Sequence, residues 1–130
     1  MTYRGGEVAE ALANTIKVGL AEQLAPVKVH SIPPRTFNPP AVIVRLPDTV
    51  EPTAAMGVDT VNIGVLCAVG GDDITPLFDL LTAVRKAVRA DRGLGKTVQA
   101  CDPINYRNFG TMSVGGADYL VAEVFLQIQA

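Results

Sequence analysis

The stretch from Thr60 to Arg92, TVNIGVLCAVGGDDITPLFDLLTAVRKAVRADR, decides how this chain of 130 residues folds. Val61, Ile63, Val65, Cys67 and Val69 alternate without a break, the pattern of a strand with one buried face, and predict the central strand of a sheet. Between them stand Asn62, Gly64, Leu66 and Ala68, which do not make a fully polar second face. Part of the other side is therefore expected to be covered too, by another sheet or another subunit. Gly70-Gly71 breaks the strand, Asp72 or Asp73 can cap the next helix, and Pro76 falls in its first turn, where a missing donor costs least. Ile74, Leu77, Phe78, Leu81, Val84 and Val88 recur at helical spacing while Asp79, Lys86 and Arg89 lie off that line, so one apolar stripe is expected against the sheet. Arg89 and Arg92 oppose the carboxyl-end dipole, and Gly93 offers the left-handed conformation that ends a helix.

Upstream, Val8, Leu12, Ile16, Leu20 and Leu24 recur every fourth residue and predict a helix over Glu7–Leu24, terminated by Pro26. Val27–Ile32 alternates as a first strand. The four prolines at Pro33, Pro34, Pro39 and Pro40 remove backbone donors and stiffen the segment between them into a loop. Ala41–Leu46 is a short apolar second strand, and Thr49–Gly57, with Glu51-Pro52 and Met56-Gly57, has no period and reads as a second exposed loop. Downstream, Thr97–Cys101 is expected as a short strand closed by Asp102-Pro103. Asn105–Ser113 and Asp118–Gln129 flank Val114-Gly115-Gly116-Ala117, whose Gly-Gly centre fits a tight turn, so the chain closes in a carboxy-terminal β-hairpin. The expected fold class is α+β: residues 1–130 as a single domain, a mainly antiparallel sheet with two amphipathic helices packed on one face.

Composition narrows the function classes. A chain of this length buries roughly two thirds of its unfolded surface, enough for one core. With 48% hydrophobic and 18% charged residues, it carries an apolar surplus, and surface left over after folding is a candidate for cover by other subunits. No run approaches the roughly 18 apolar residues of a membrane span, and Met1–Gly6 leads straight into an amphipathic helix, so neither membrane insertion nor a secretory leader is expected. A net charge of −2 does not favour a phosphate-neutralising surface, so sequence-specific DNA binding is not expected.

Residues of chemical interest resolve into structural roles. Ala90–Thr97 ends in Gly-Lys-Thr like a phosphate loop, but it leaves a helix and enters a strand, the reverse of the context that aims a helix amino terminus at phosphate. His30 is the only histidine and has no partner in sequence for nucleophilic or metal work. Cys67 and Cys101 read as small buried hydrophobes, and Asp72-Asp73 as a helix cap in place of a metal pair. Arg85, Lys86, Arg89 and Arg92 form a basic cluster at a helix end, either a solvated face or a contact to an acidic partner subunit. No catalytic set, cofactor site or metal site is expected.

The order of elements and several motifs resemble the tail terminator proteins of long-tailed bacteriophages, of the actinobacterial-phage type with a non-contractile tail. The resemblance spans nearly the whole chain. It rests on the amino-terminal helix, on Pro39-Pro40-Ala41-Val42-Ile43-Val44, on the Val61–Val69 strand running into Gly-Gly-Asp-Asp, and on Val114–Val124. It implies a structural virion protein, made in the host cytoplasm and located at the head-tail junction. Such a subunit forms a hexameric ring that caps the tail tube, stops its polymerisation and joins the tail to the head-tail connector or stopper, while DNA passes through the lumen. Its partners would be copies of itself, the major tail tube protein and the connector. Arg35, Phe37 and Asn38 of the first loop and Glu51 and Met56 of the second are the candidate subunit and tube contacts, with Phe37 either an exposed anchor or folded over the sheet edge. Two rivals stay open: another ring of the same neck, or a small cytoplasmic α+β enzyme or ligand-binding domain.

Overall fold

A computed structural model of the chain describes residues 5–21, 27–32, 40–53 and 58–130. Their elements are α1 (Gly5–Ala21), β1 (Lys28–His30), β2 (Ala41–Val44), β3 (Thr49–Thr53), β4 (Val58–Gly70), α2 (Thr75–Ala90), β5 (Ala100–Val114) and β6 (Ala117–Gln129). One six-stranded sheet runs in the order β1-β2-β4-β6-β5, with β3 also paired to β4. Only β1 with β2 is parallel; the other pairings are antiparallel. The α+β class, the two helices and the closing hairpin are as the sequence leads one to expect.

β4 is central because both of its faces tolerate cover. Val61, Ile63, Val65, Cys67 and Val69 face the helices, joined there by Val42, Val44, Ala122, Val124, Leu126 and Ile128. From α1 come Val8, Leu12, Ala13, Ile16 and Leu20, and from α2 Leu77, Leu80, Leu81, Ala83, Val84, Ala87 and Val88. The second face holds a smaller cluster of Ile43, Leu66, Ala68 and Val121, with Met112 and Tyr119 leaning on it. Among the described residues no second sheet lies on this face, and Leu66 and Ala68 are shielded there by side chains of adjacent strands in the same sheet.

Several boundaries differ from the sequence expectation, each for a physical reason. Thr49–Thr53 is a strand, not a loop: it lies on the outer edge, where side chains stay exposed and no alternation is required, and it is held by backbone pairing from Thr49↔Asn62 to Thr53↔Val58. Thr97 and Gln99 belong to the turn after α2, and β5 continues through Asp102-Pro103, because an edge strand can spare the donor that proline lacks. The α2 stripe is rotated. Ile74 and Phe78 are 51% and 42% exposed, while Leu80, Ala83 and Ala87 take their places in the core. Asp73 caps the first turn, its Oδ1 accepting from the Thr75 N–H at 2.9 Å. The turn after α2 takes its left-handed residues from Leu94, Gly95 and Lys96 in place of Gly93. The first two strands are shorter than Val27–Ile32 and Ala41–Leu46, and the predicted end of the first helix lies outside the described residues. Gly115 and Gly116, at φ 60° and 82°, form the predicted two-residue hairpin turn.

The two helices touch through small residues. A Cβ built on Gly19 would stand 2.2 Å from the Cβ of Ala87, so the separation of α1 from α2 requires glycine here. Replacing an interior helical glycine by alanine ordinarily favours the helix by roughly 0.8–1 kcal/mol. At Gly19 overpacking reverses the sign: Gly19→Ala is expected to cost a net ~1–2 kcal/mol in denaturant unfolding. Gly6→Ala, with nothing within 4 Å of its added Cβ, is expected to be neutral or stabilising in the same measurement.

Candidate functional site

On β6, Tyr119, Val121, Glu123, Phe125 and Gln127 point away from the helices, and Glu123 in the middle of this row is 2% exposed, the one buried charged residue among those described. Its carboxylate accepts from Arg45, from Arg107 Nε at 3.2 Å and from the Asn108 side-chain amide at 3.3 Å. Arg107 also donates to Asp48 and lies 4.0 Å over the ring of Phe125. Partial burial opposes the charge on Arg107, but the bonds to Asp48 and Glu123 outweigh it and raise its pKa.

Three backbone features bring these groups together. Arg45 follows β2 with its N–H still on the Gly64 carbonyl, and Leu46-Pro47 detour before the Asp48 N–H bonds the Asn62 carbonyl and β3 begins. Gly64 on β4 leaves the space the carboxylate fills; a Cβ there would lie 2.3 Å from Glu123 Oε1. A register shift in β5 between Arg107 and Gly110, with Asn108 left-handed at φ 58°, turns the Asn108 amide onto the same carboxylate. Two arginines and two acids make the cluster neutral, so it is a clasp across β2, β4, β6 and β5.

The exposed large apolar side chains fall mainly on the two lateral flanks of the sheet. On the side of β1, β2 and β3 are Ile32, Leu46 and Val50, at 70%, 75% and 41% exposure. On the side of β5 and α2 are Ile74, Phe78, Ile104 and Phe109. There Phe78 stacks on Phe109 at 5.4 Å and meets Tyr106 edge-on at 6.4 Å. Ile104 and Phe109 each sit in a register shift of β5, which takes them out of the regular alternation. Val18 stands apart, at a groove of about 550 Å³ between the helices, lined also by Ala11, Gly19, Ala87 and Leu94.

Of the predicted contact residues, Glu51 is exposed on β3, at the first of these flanks. Arg35, Phe37, Asn38 and Met56 lie outside the described residues. The aromatic flank was not anticipated; its one sequence signal is Phe109, an aromatic among the polar positions Asn105, Arg107, Thr111 and Ser113 of its strand. The basic cluster divides. Arg92 bonds Asp102 through two contacts of 2.7 and 3.0 Å, and this hydrogen bond holds the Asp102 carboxyl below the usual range. Arg85 and Arg89 instead line a notch of about 180 Å³.

The Gly-Lys-Thr segment presents no phosphate cradle, since the Gly95 N–H is taken by the Asp91 carboxylate at 2.9 Å. His30 is half-buried on β1, and its Nε2 has no hydrogen-bond partner among the described residues. Among the same residues, no three His, Cys, Asp or Glu side chains gather to hold a metal ion, and no helix is long and apolar enough to cross a membrane. The chain matches no protein-family model and no curated protein.

Two outcomes follow. Gly64→Ala is expected to cost about 2–4 kcal/mol by displacing a buried charge from its partners. In a Glu123→Ala background the same change is expected to cost less than about 1 kcal/mol, so a double-mutant cycle in urea should give a coupling of at least ~1–2 kcal/mol. Burial pushes the Cys101 thiol up to about 12, with Asp102 adding to it, and pushes the Cys67 thiol up further, with Glu123 adding. A colorimetric disulfide reagent at pH 8 is therefore expected to label neither thiol in the native protein and both in denaturant.

Proposed function

We propose that the chain is the subunit of a closed structural ring, the tail terminator of a long-tailed bacteriophage. The observation that carries the ring is the pairing of two different apolar flanks at opposite lateral edges of one sheet. A contact between unlike patches on successive copies is heterologous, and such contacts generate rings when the rotation closes. The faces above and below the ring then remain free for different partners. One would meet the last ring of the tail tube, and the other would meet the connector and offer the tube subunit nothing to match. Arg35, Phe37, Asn38, Glu51 and Met56 are the candidate subunit and tube contacts, with Glu51 on a lateral flank.

The sequence resemblance supplies the identity of the ring, and the net charge of −2 suits a channel that DNA crosses without sticking. A neighbouring ring of the same neck shares the architecture, so binding to purified tube as opposed to connector decides between them. A small-molecule enzyme would present a concave pocket with convergent polar groups, whereas the larger groove described here is lined mainly by small and apolar side chains.

Purified protein imaged at high concentration is expected to show six-membered rings of about 82 kDa, six times 13.7 kDa, with a central hole wide enough for duplex DNA. The double variant Phe78→Ser/Phe109→Ser is expected to keep the far-UV circular dichroism and melting behaviour of the parent and to lose the rings. Persistent monomers of the parent chain that also fail to bind tube ends would remove the proposal.

A further inference from the structure

We propose that the notch between Arg85 and Arg89 receives the Glu51 carboxylate of a second copy of this chain, an ion pair that sets the register of the ring contact. The inference rests on the ring reading and adds to it a specific pair of residues. The notch is lined by Arg85, Arg89, Pro103, Ile104, Asn105 and Tyr106, and no carboxylate is among them. The Arg85 guanidinium lies 5.7 Å from the centre of the Tyr106 ring, and its Nε is buried with no hydrogen-bond partner among the described residues. A cation partly withdrawn from water and short of acceptors favours an incoming anion. The nearest acid of β5, Asp102, is bonded by Arg92, and its charge also reaches Arg89 without a hydrogen bond between them. Lys86 is exposed and Asp79 lies two turns earlier on α2.

The opposite flank supplies the complement. Glu51 is exposed on β3 and has no bond among the described residues, while Asp48 on the same flank is engaged by Arg107 and Asp59 stands opposite Pro52 on β4. Leu46 is exposed on the same flank as Glu51, Val50 is exposed on the opposite, helix-side face of β3, and Phe78, Ile104 and Phe109 are exposed beside the notch. Apolar cover on both sides would exclude water from the pair and lower the local dielectric.

The strand register also bears on how the copies meet. Glu51 pairs with Thr60 and so faces the helix-free side of β3, whereas Arg85 and Arg89 belong to the helix layer. A next sheet that crosses the α2–β5 flank at an angle, and does not extend the first sheet in plane, would bring the two together. The two register shifts of β5 already disfavour in-plane pairing at that edge.

The test is sedimentation of the full chain over a concentration series, with melting curves confirming that each variant is folded. Glu51→Arg and Arg85→Glu/Arg89→Glu are each expected to raise the concentration at which rings form at least tenfold. The combined triple variant is expected to return it to within threefold of the parent, and Glu51→Gln, a mild change on an exposed edge, to raise it severalfold with weaker salt dependence. Rings indifferent to Glu51→Gln and Glu51→Arg would overturn the ion pair and leave the ring reading standing, as would losses that the triple variant fails to restore. A parent chain that forms no ring in solution or on tube ends would overturn both.

Discussion

A carboxylate taken out of water in the middle of a sheet is costly unless several donors converge on it, and Glu123 explains most of the irregular backbone in this fold. β2 does not run straight into β3: the Arg45 N–H still donates to the Gly64 carbonyl while its guanidinium reaches Glu123, and the chain then detours before Asp48 bonds β4 again. β4 carries a glycine at the one position where a side chain would occupy the carboxylate's space. β5 shifts register beside Arg107, which delivers the Asn108 amide and leaves Arg107 bridging to Asp48. Each departure from regularity would be unfavourable alone; together they satisfy one charge and tie four strands.

The same irregularities shape the flanks. The detour at Leu46 exposes that residue on one side, and the shifts of β5 put Ile104 and Phe109 on the other, where α2 adds Phe78. An ordinary edge strand offers a row of unpaired backbone groups to any passing strand. Here the long edge is interrupted twice and carries aromatic side chains, so it presents no continuous row of backbone groups for another strand to pair with.

Elements whose period reflects a single buried face were legible in the sequence. The alternation of Val61 to Val69, the helical spacing of Val8 to Leu20 and the Gly115-Gly116 turn all describe local geometry that burial or positive φ imposes. What escaped was set by neighbours distant in sequence. Thr49–Thr53 has no period because one pairing through the backbone defines it. Pro103 looked like a stop, and only its place on an edge makes it tolerable. Ile74 and Phe78 have helical spacing yet face a flank, since which arc of α2 meets the sheet depends on where β5 ends. Glu123 could be placed on a half-polar face, but its burial depends on a glycine and two arginines brought in by three other strands. Of the five candidate contacts, the reading reached one surface position that the structure describes, Glu51; the aromatic flank lay hidden behind a shift in register.

The strand order has a consequence for timing during synthesis. β6 lies between β4 and β5, although it follows both in the chain. Until β6 has emerged from the ribosome, β4 lacks its longest partner and β5 has no strand to pair with, so the flank of Ile104 and Phe109 has no framework to hold it. The residues of α1, α2, β2 and β4 are all made before those of β6, so the side of β5 and α2 is the last part of the sheet to be completed.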